Sequence, residues 1–258
     1  MSACATAAGE RIDARSIGEL ELWCVDTRAS AAALFAVEQD VALLSEWERR
    51  RAATFAARAL AEEWLAAHIA LRVVLERATG MALRGVAFAR SARGKPRLDE
   101  APIAFNISHV PGLALIALTR GGTLGVDLER ARAVRVRGPR RARIATAGAA
   151  LNRAEPFAAD ADARFLQAWV RLEAFAKAEG DGVGRLFTRL GISGNSARTH
   201  KDFRARLDGV LAETPVGATR DVALGEGVFA AVASGAAQAI PKVFRLPEGK
   251  SAVAALLA

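Results

Sequence analysis

Two carboxylates stand two residues apart in the stretch TLGVDLER, residues 123–130. Read as a strand, the stretch alternates between faces: Leu124, Val126 and Leu128 share one, and Gly125, Asp127 and Glu129 share the other. Two anions at i and i+2 on one face repel, and either water or a divalent cation relieves that. A glycine beside them lets something approach the backbone closely. By itself an Asp-x-Glu strand is most often a solvated face.

A third carboxylate lies on the helical segment DARFLQAWVRLEAFAKAEG, residues 162–180. At about 100° per residue, Phe165, Trp169, Leu172 and Ala176 form an apolar stripe, while Arg164, Gln167 and Arg171 fall on the far side and read as solvated. Glu173 and Lys177, at i and i+4, sit at the edge of the stripe beside Leu166 and Val170. Taken alone they read as a surface ion pair worth a few tenths of a kcal/mol. His109 ends the apolar run AFNISHV (104–110), and Lys95 sits in the turn RGKP (93–96). Each has an ordinary structural reading, as a satisfied histidine and a solvated loop lysine.

The elements that must position these groups follow from periodicity and punctuation. ELELWCVD (19–26) reads as a strand. Ser45 with Glu48 three residues later is a capping-box pattern opening one long helical region, which Gly80 stops. Its apolar face includes Trp47, Phe55, Leu65, Ile69 and Val73. MALRGVAFAR (81–90) reads as a strand, and SARGKPRLDEAP (91–102) as a turn-rich connection. AFNISHV and LALIALTR (113–120) read as strands, and Gly121-Gly122 joins the second to TLGVDLER as a hairpin. The arginine run from Arg130 to Arg143, with Gly138-Pro139 inside it, reads as an exposed or mobile connection. The helix bearing Glu173 ends near Gly180, and the remainder, with DVALGEGVFAAVAS (221–234) and KVFRL (242–246), reads as strands and turns. The order strand, long helix, strands occurs twice, near 19–120 and 121–246, without a clear sequence repeat.

The chain has 258 residues, enough to bury a sizeable core, and its composition is that of a globular protein. A formal charge of +8 favours acidic or phosphorylated partners. Only five of the 36 basic residues are lysines, a bias that fits a GC-rich coding sequence as well as any function. No zinc-ligand, RNP-like or aromatic-interleaved pattern accompanies the charge, so nucleic acid is not the expected partner. Two cysteines, Cys4 and Cys24, make no disulfide framework, the first residues lack the layout of a secretory signal, and no apolar run approaches the roughly 18 residues of a membrane span. A cytoplasmic protein away from membranes, working as a monomer, is expected.

The ordered succession GKP, FNISH, GVDLE and WVRLEAFAK, running from Arg93 to Lys177, resembles the Sfp-type 4′-phosphopantetheinyl transferases. That family shows a Gly-Lys-Pro turn, an Asn-x-Ser-His segment, a Gly-[Val/Ile]-Asp-x-Glu strand and a W-x-x-K-E-A-x-x-K helix. The resemblance implies an α+β fold of two similar halves, residues 1–120 on the coenzyme A side and 121–258 carrying the metal strand and catalytic helix. Each half packs a long helix on a mostly antiparallel sheet, with the active site in the cleft between them. It implies Mg²⁺-dependent transfer of the 4′-phosphopantetheine arm of coenzyme A to a serine of an apo acyl or peptidyl carrier protein, releasing 3′,5′-ADP. Carried over, Asp127, Glu129 and Glu173 hold Mg²⁺, a hard cation that takes a few carboxylates together with waters and substrate phosphates. Glu173 also takes the serine proton, directly or through a water, and Lys177 contacts the pyrophosphate. Arg51, Lys95, Ser108 and His109 fall at positions that grip coenzyme A.

Three departures qualify the pattern. Leu172 replaces a family lysine, but at a position inside the apolar stripe. LAEEWL (60–65) puts Glu62 and Glu63 where positive charge is expected, leaving Arg51 and, one turn away, Arg58. RARIATAGAALNRAEPF (141–157) replaces an Arg-Phe-Phe-Ser-x-x-Glu run near the carrier-docking surface. A coenzyme A- or carrier-binding protein with weak or lost catalysis is the alternative. The arginine run reads equally as a docking face for an acidic carrier, and fatty-acid, polyketide and nonribosomal-peptide carriers all remain open.

Overall fold

A computed structural model describes residues 20–99, 101–136, 138–152, 158–192, 199–213, 219–235 and 240–257 of a mixed α+β chain. In chain order the first elements are β1 (Leu20–Val25), α1 (Ala31–Val41), α2 (Glu46–Ala52), α3 (Arg58–Thr79), β2 (Ala89–Arg90), β3 (Pro96–Arg97), β4 (Ile103–Val110) and β5 (Leu113–Arg120). There follow β6 (Leu124–Arg130), α4 (Gly138–Leu151), α5 (Ala161–Glu179), α6 (Val183–Leu190), α7 (Thr199–Glu213), β7 (Arg220–Asp221), β8 (Val228–Ser234), β9 (Lys242–Arg245) and α8 (Lys250–Ala254). Cys4 and residues 153–157 lie outside the described residues.

Two compact units divide the elements. One runs to Arg90, resumes over Pro96–Gly121 and takes back the chain from Ile240; the other holds Ser91–Lys95 and Gly122–Ala239. The tail from Ile240, expected in the second half, belongs with the first because β9 adds parallel to β1, Leu22 opposite Val243. Each unit has its own hydrophobic core.

In the first unit the sheet order is β4-β5-β1-β9. Paired on both edges, β1 is buried at every residue, which explains its nearly unbroken apolar sequence. Its exception, Glu21, is buried with a hydrogen bond from Trp23 Nε1 (3.1 Å) and one from Arg77 Nη1 (3.2 Å). The core joins β1 and β4 to α3, which is buried from Trp64 through much of its length. The hairpin expected at Gly121-Gly122 does not form. Both edges of β5 are already taken, by β4 across the Pro111-Gly112 turn and by β1, so β6 pairs with β8 instead.

The long helical region opened by Ser45 is two helices, interrupted at residues 53–57. The capping box is present, with Ser45 Oγ accepting from the Glu48 amide and Glu48 accepting from the Ser45 amide at 2.8 Å. Glu48 does more than cap. The fully buried Arg72 donates to it through Nε at 2.9 Å and sends its other nitrogens to the carbonyls of Leu83 (2.6 Å) and Val86 (2.7 Å). Stretch 81–90 was expected as a strand, yet only Ala89–Arg90 pairs, with Pro96–Arg97. The carbonyls of Leu83 and Val86 are satisfied by a side chain rather than by a neighbouring strand, so the segment has no need to extend.

In the second unit α5 packs on the antiparallel sheet β6-β8-β7, with Asp160 accepting from the amides of Asp162 and Ala163 at its start and Gly180 in left-handed conformation (φ 73°) at its end. The arginine run, expected as a connection, becomes helical from Gly138. Proline fits the first turn, where its missing N–H is one the helix leaves unpaired anyway. Arg143 is buried, donating to the Gly191 carbonyl (3.0 Å), and Arg141 pairs with Asp162 (2.6 Å). Helices α6 and α7 fall where strands and turns were expected; Leu186, Phe187 and Leu190 of α6 are buried in the same core. α4 meets α5 where Gly148 faces Ala168, a contact so close that a Cβ on Gly148 would lie 2.6 Å from Ala168 Cα.

The Glu48 network makes stability depend on pH. Burial alone would raise the Glu48 carboxyl, but hydrogen bonds from His68 and Arg72, the Arg72 charge and a hydrogen bond from Ser45 together pull it down to about 2. Burial lowers the His68 imidazole, offset in part by its contact with Glu48, so a neutral ring donates across 3.3 Å. Both groups bind protons more weakly folded than unfolded. Their contributions are therefore complete at neutral pH: that of His68 erodes as pH falls below its unfolded value, that of Glu48 between about 4.5 and about 2. Urea unfolding followed across pH should show Glu48→Gln flattening the acid limb by about 3 kcal/mol at most; an unchanged slope contradicts the assignment.

Candidate functional site

What approaches the glycine beside the two carboxylates is the backbone of α5. A Cβ built on Gly125 would lie 2.0 Å from the Ala174 carbonyl oxygen and 2.4 Å from the Ala178 nitrogen, so no side chain fits there. Leu124, Val126 and Leu128 are buried, as the alternation requires. The opposite face, read from sequence as wet unless a cation sits there, is turned toward α5. Lys177 Nζ reaches back to donate to Asp127 Oδ1 (2.7 Å) and to the Val126 carbonyl (3.1 Å). Glu129, at the more open end of the strand, lies 3.5 Å from Arg132.

Glu173 is one helical turn before Lys177 and half-buried. Among the described residues it accepts no hydrogen bond and joins no ion pair. Burial, the negative charge of Asp127 and, less, that of Glu129 push its carboxyl up to about 7, against the opposing pull of Lys177. Glu173 thus senses the other two carboxylates, and Lys177 does not balance them. Among the described residues, no three His, Cys, Asp or Glu side chains converge as a ready-made metal cage. Mg²⁺ does not demand one: it is commonly held by one or two carboxylates, with waters and substrate phosphates filling the other positions. The donor set, hard oxygens with an uncompensated negative charge and one carboxylate lacking any partner, fits such an ion.

Lys95 is not the solvated loop residue its turn suggests. Its ammonium donates to the carbonyls of Leu124 (2.7 Å), Lys177 (2.8 Å) and Ala178 (3.4 Å). Burial pushes it down to about 8, so it is still largely charged at neutral pH. Arg51, Ser108 and His109 belong to the other unit. Arg51 is exposed, donates to Thr54 Oγ1 (3.0 Å) and holds its guanidinium 5.3 Å from the Phe55 ring centre; Ser108 is buried on β4 and His109 next to it is exposed. The two troubling acids of α3 are already engaged. Glu62 pairs with Arg58 (2.7 Å), and Glu63 accepts from Arg28 (2.8 Å) and from the Gly112 amide (2.7 Å).

Leu172 is buried, as its place in the stripe predicts, but Arg171 and Gln167 are not the solvated residues expected. Arg171 is fully buried, with Nε and Nη2 on the two Asp221 oxygens (2.7 and 2.6 Å), and Gln167 donates to the same carboxylate (2.6 Å). Nothing local in the helix pattern signals a partner 50 residues away. On the other flank, Arg132, Val134, Arg135, Val136, Phe165 and Trp169 line a pocket of about 440 Å³.

No protein-family model matches the chain, and no curated protein matches it. Among the described residues, no helix is long and apolar enough to cross a membrane. The family resemblance therefore rests on the sequence motifs alone.

Because the approach at Gly125 is backbone to backbone, Gly125→Ala must separate α5 from β6. It should lower stability by about 2–3 kcal/mol, measured by urea unfolding; a change below about 0.5 kcal/mol means the contact yields freely.

Proposed function

We propose that the protein transfers the 4′-phosphopantetheine arm of coenzyme A to a serine of an apo carrier protein, using Mg²⁺, on the two-half phosphopantetheinyl transferase fold. The observation that carries this reading is Glu173, a half-buried carboxylate with no hydrogen bond or ion pair among the described residues, in the field of Asp127 and Glu129 and one turn from Lys177. Asp127, Glu129 and Glu173 would hold Mg²⁺, which supplies charge neutralisation for the coenzyme A pyrophosphate.

The chain's own groups have these tasks. The carrier serine oxygen attacks the phosphorus bearing the pantetheine arm, the bond to the bridging oxygen breaks, and 3′,5′-ADP leaves. Glu173 receives the serine proton, through a water. Lys177 sets a positive charge where negative charge grows on the leaving phosphate, held in aim by Asp127 and the Val126 carbonyl. Arg51, Ser108 and His109 are assigned to coenzyme A. The arginine-lined pocket beside Phe165 and Trp169 suits an acidic carrier surface with an apolar side chain.

A second reading, binding without efficient transfer, draws on the Arg58–Glu62 pair, which occupies a cation that would otherwise stand in for the missing family ones. One assay separates the two: incubate the protein with several apo carriers, coenzyme A and Mg²⁺, and look by mass spectrometry for the added arm. Binding of coenzyme A or carrier with no arm added to any of them would sink the transferase reading. Asp127→Ala and Lys177→Ala should each lower turnover about 100-fold or more with the fold intact by circular dichroism; full activity in either removes that residue from the mechanism.

A further inference from the structure

The turn 91–95 is built rather than slack. Ser91 accepts from the Gly94 amide through its carbonyl (2.8 Å) and from the Lys95 amide through Oγ (3.1 Å), its own amide donates to the Lys95 carbonyl (2.9 Å), and Gly94 takes φ 83°. Two side chains from this turn meet the end of α5. Arg93 pairs with Asp181, just past the helix cap, and Lys95 takes the carbonyls of Lys177 and Ala178. Helix ends leave such carbonyls without intrahelical partners, and a cation there also meets the negative end of the helix dipole. The third Lys95 contact, the Leu124 carbonyl at 2.7 Å, is on the first residue of β6. One ammonium, three donors, thus joins the last turn of α5 to the start of β6, beside the point where Gly125 lets their backbones meet.

We propose that Lys95 is a positioning residue for the Asp127, Glu173 and Lys177 group and not a contact for coenzyme A. Lys177 is held at both ends: its carbonyl by Lys95, its ammonium by Asp127 and the Val126 carbonyl. If the last turn of α5 loosens, the Lys177 side chain loses its fixed origin, and the distance from Glu173 to the strand carboxylates loosens with it. A lysine turned outward to a phosphate would take a charged donor from the Leu124 and Ala178 carbonyls and leave the Lys177 carbonyl only the Gly180 amide at 3.2 Å. The structural half of this inference stands on the contacts alone; the kinetic half rests on the proposed transfer.

The test compares Lys95→Met and Lys95→Arg with the unaltered full chain. Amide hydrogen exchange at residues 176–181 should quicken about tenfold in the Met variant, with β4 amides unchanged as an internal control. In the transfer assay the Met variant should lose about tenfold or more in kcat with KM for coenzyme A within about twofold, and Arg, which keeps charged donors, should recover most of it. Unchanged exchange overturns the proposal. So does a raised KM for coenzyme A at constant kcat, which would put Lys95 on the ligand. If the unaltered protein modifies no carrier, the transferase reading fails by itself, and the exchange data still decide whether Lys95 clasps the helix. If Lys95→Met does not fold, Lys95→Gln, which keeps N–H donors without charge, is put through the same exchange comparison with the same overturning result.

Discussion

The contact of the α5 backbone with the β6 backbone at Gly125 is the constraint from which the candidate site follows. With a side chain at that position the two elements would stand apart by roughly the thickness of a methyl group, and short side chains could not bridge them. Asp127 has a short side chain. With the helix that near, it meets Lys177 Nζ at 2.7 Å. The same nearness brings Glu173 within the field of Asp127 and Glu129, and burial then lifts its carboxyl to about 7. Small residues keep the approach possible along the helix: Ala174 and Ala178 face the glycine, and Ala168 takes the close contact with Gly148 of α4.

Each unit fastens its irregular chain to its long helix by a similar device, a fully buried arginine. In the first unit Arg72 of α3 joins Glu48 to the carbonyls of Leu83 and Val86. In the second, Arg171 of α5 joins Asp221 to the Asn152 carbonyl at 3.3 Å. The guanidinium suits this task because its donors lie in a rigid plane and it stays charged when buried. Such pairs add little net stability over apolar packing, but removing one partner strands a buried charge, so they fix which loop meets which helix. Part of the arginine richness of the chain is therefore architectural.

Local signals in the sequence were legible, and distant partners were not. The Ser45–Glu48 box and the glycine stops at Gly80 and Gly180 involve residues within a turn of one another, and all three appear as read. The alternation along TLGVDLER and the flank position of Glu173 and Lys177 were legible for the same reason. A helical wheel assigns a residue to solvent by its polarity, and that assumption failed at Arg171, whose partner comes from β7. It failed again for the face of Gly125 and Asp127, where the alternation gives two faces but cannot say which neighbour covers the polar one. The strand expected over 81–90 and the hairpin expected at Gly121-Gly122 failed on edges: one segment had its carbonyls taken by Arg72, and β5 had no edge left to offer.

The position of Lys177 sharpens the charge argument. A lysine salt-bridged to Asp127 would ordinarily complete a carboxylate site, and the neighbouring acid would then titrate as usual. Glu173 does not, because burial and two remaining negative charges outweigh the pull of Lys177. Near neutral pH that leaves a proton on Glu173 for part of the time, standing where positive charge is short. A divalent cation shared with Asp127 and Glu129 would displace that proton and remove the repulsion at once, whereas a second lysine would bring one charge and need the room of a whole side chain. The ammonium of Lys95, in the same unit, is turned to backbone carbonyls, where it holds the helix end instead of neutralising the acids. The two lysines thus divide in space: the Lys95 ammonium lies on the carbonyls of the helix end and the strand start, and the Lys177 ammonium on Asp127 and the Val126 carbonyl, which leaves Glu173 with the excess negative charge.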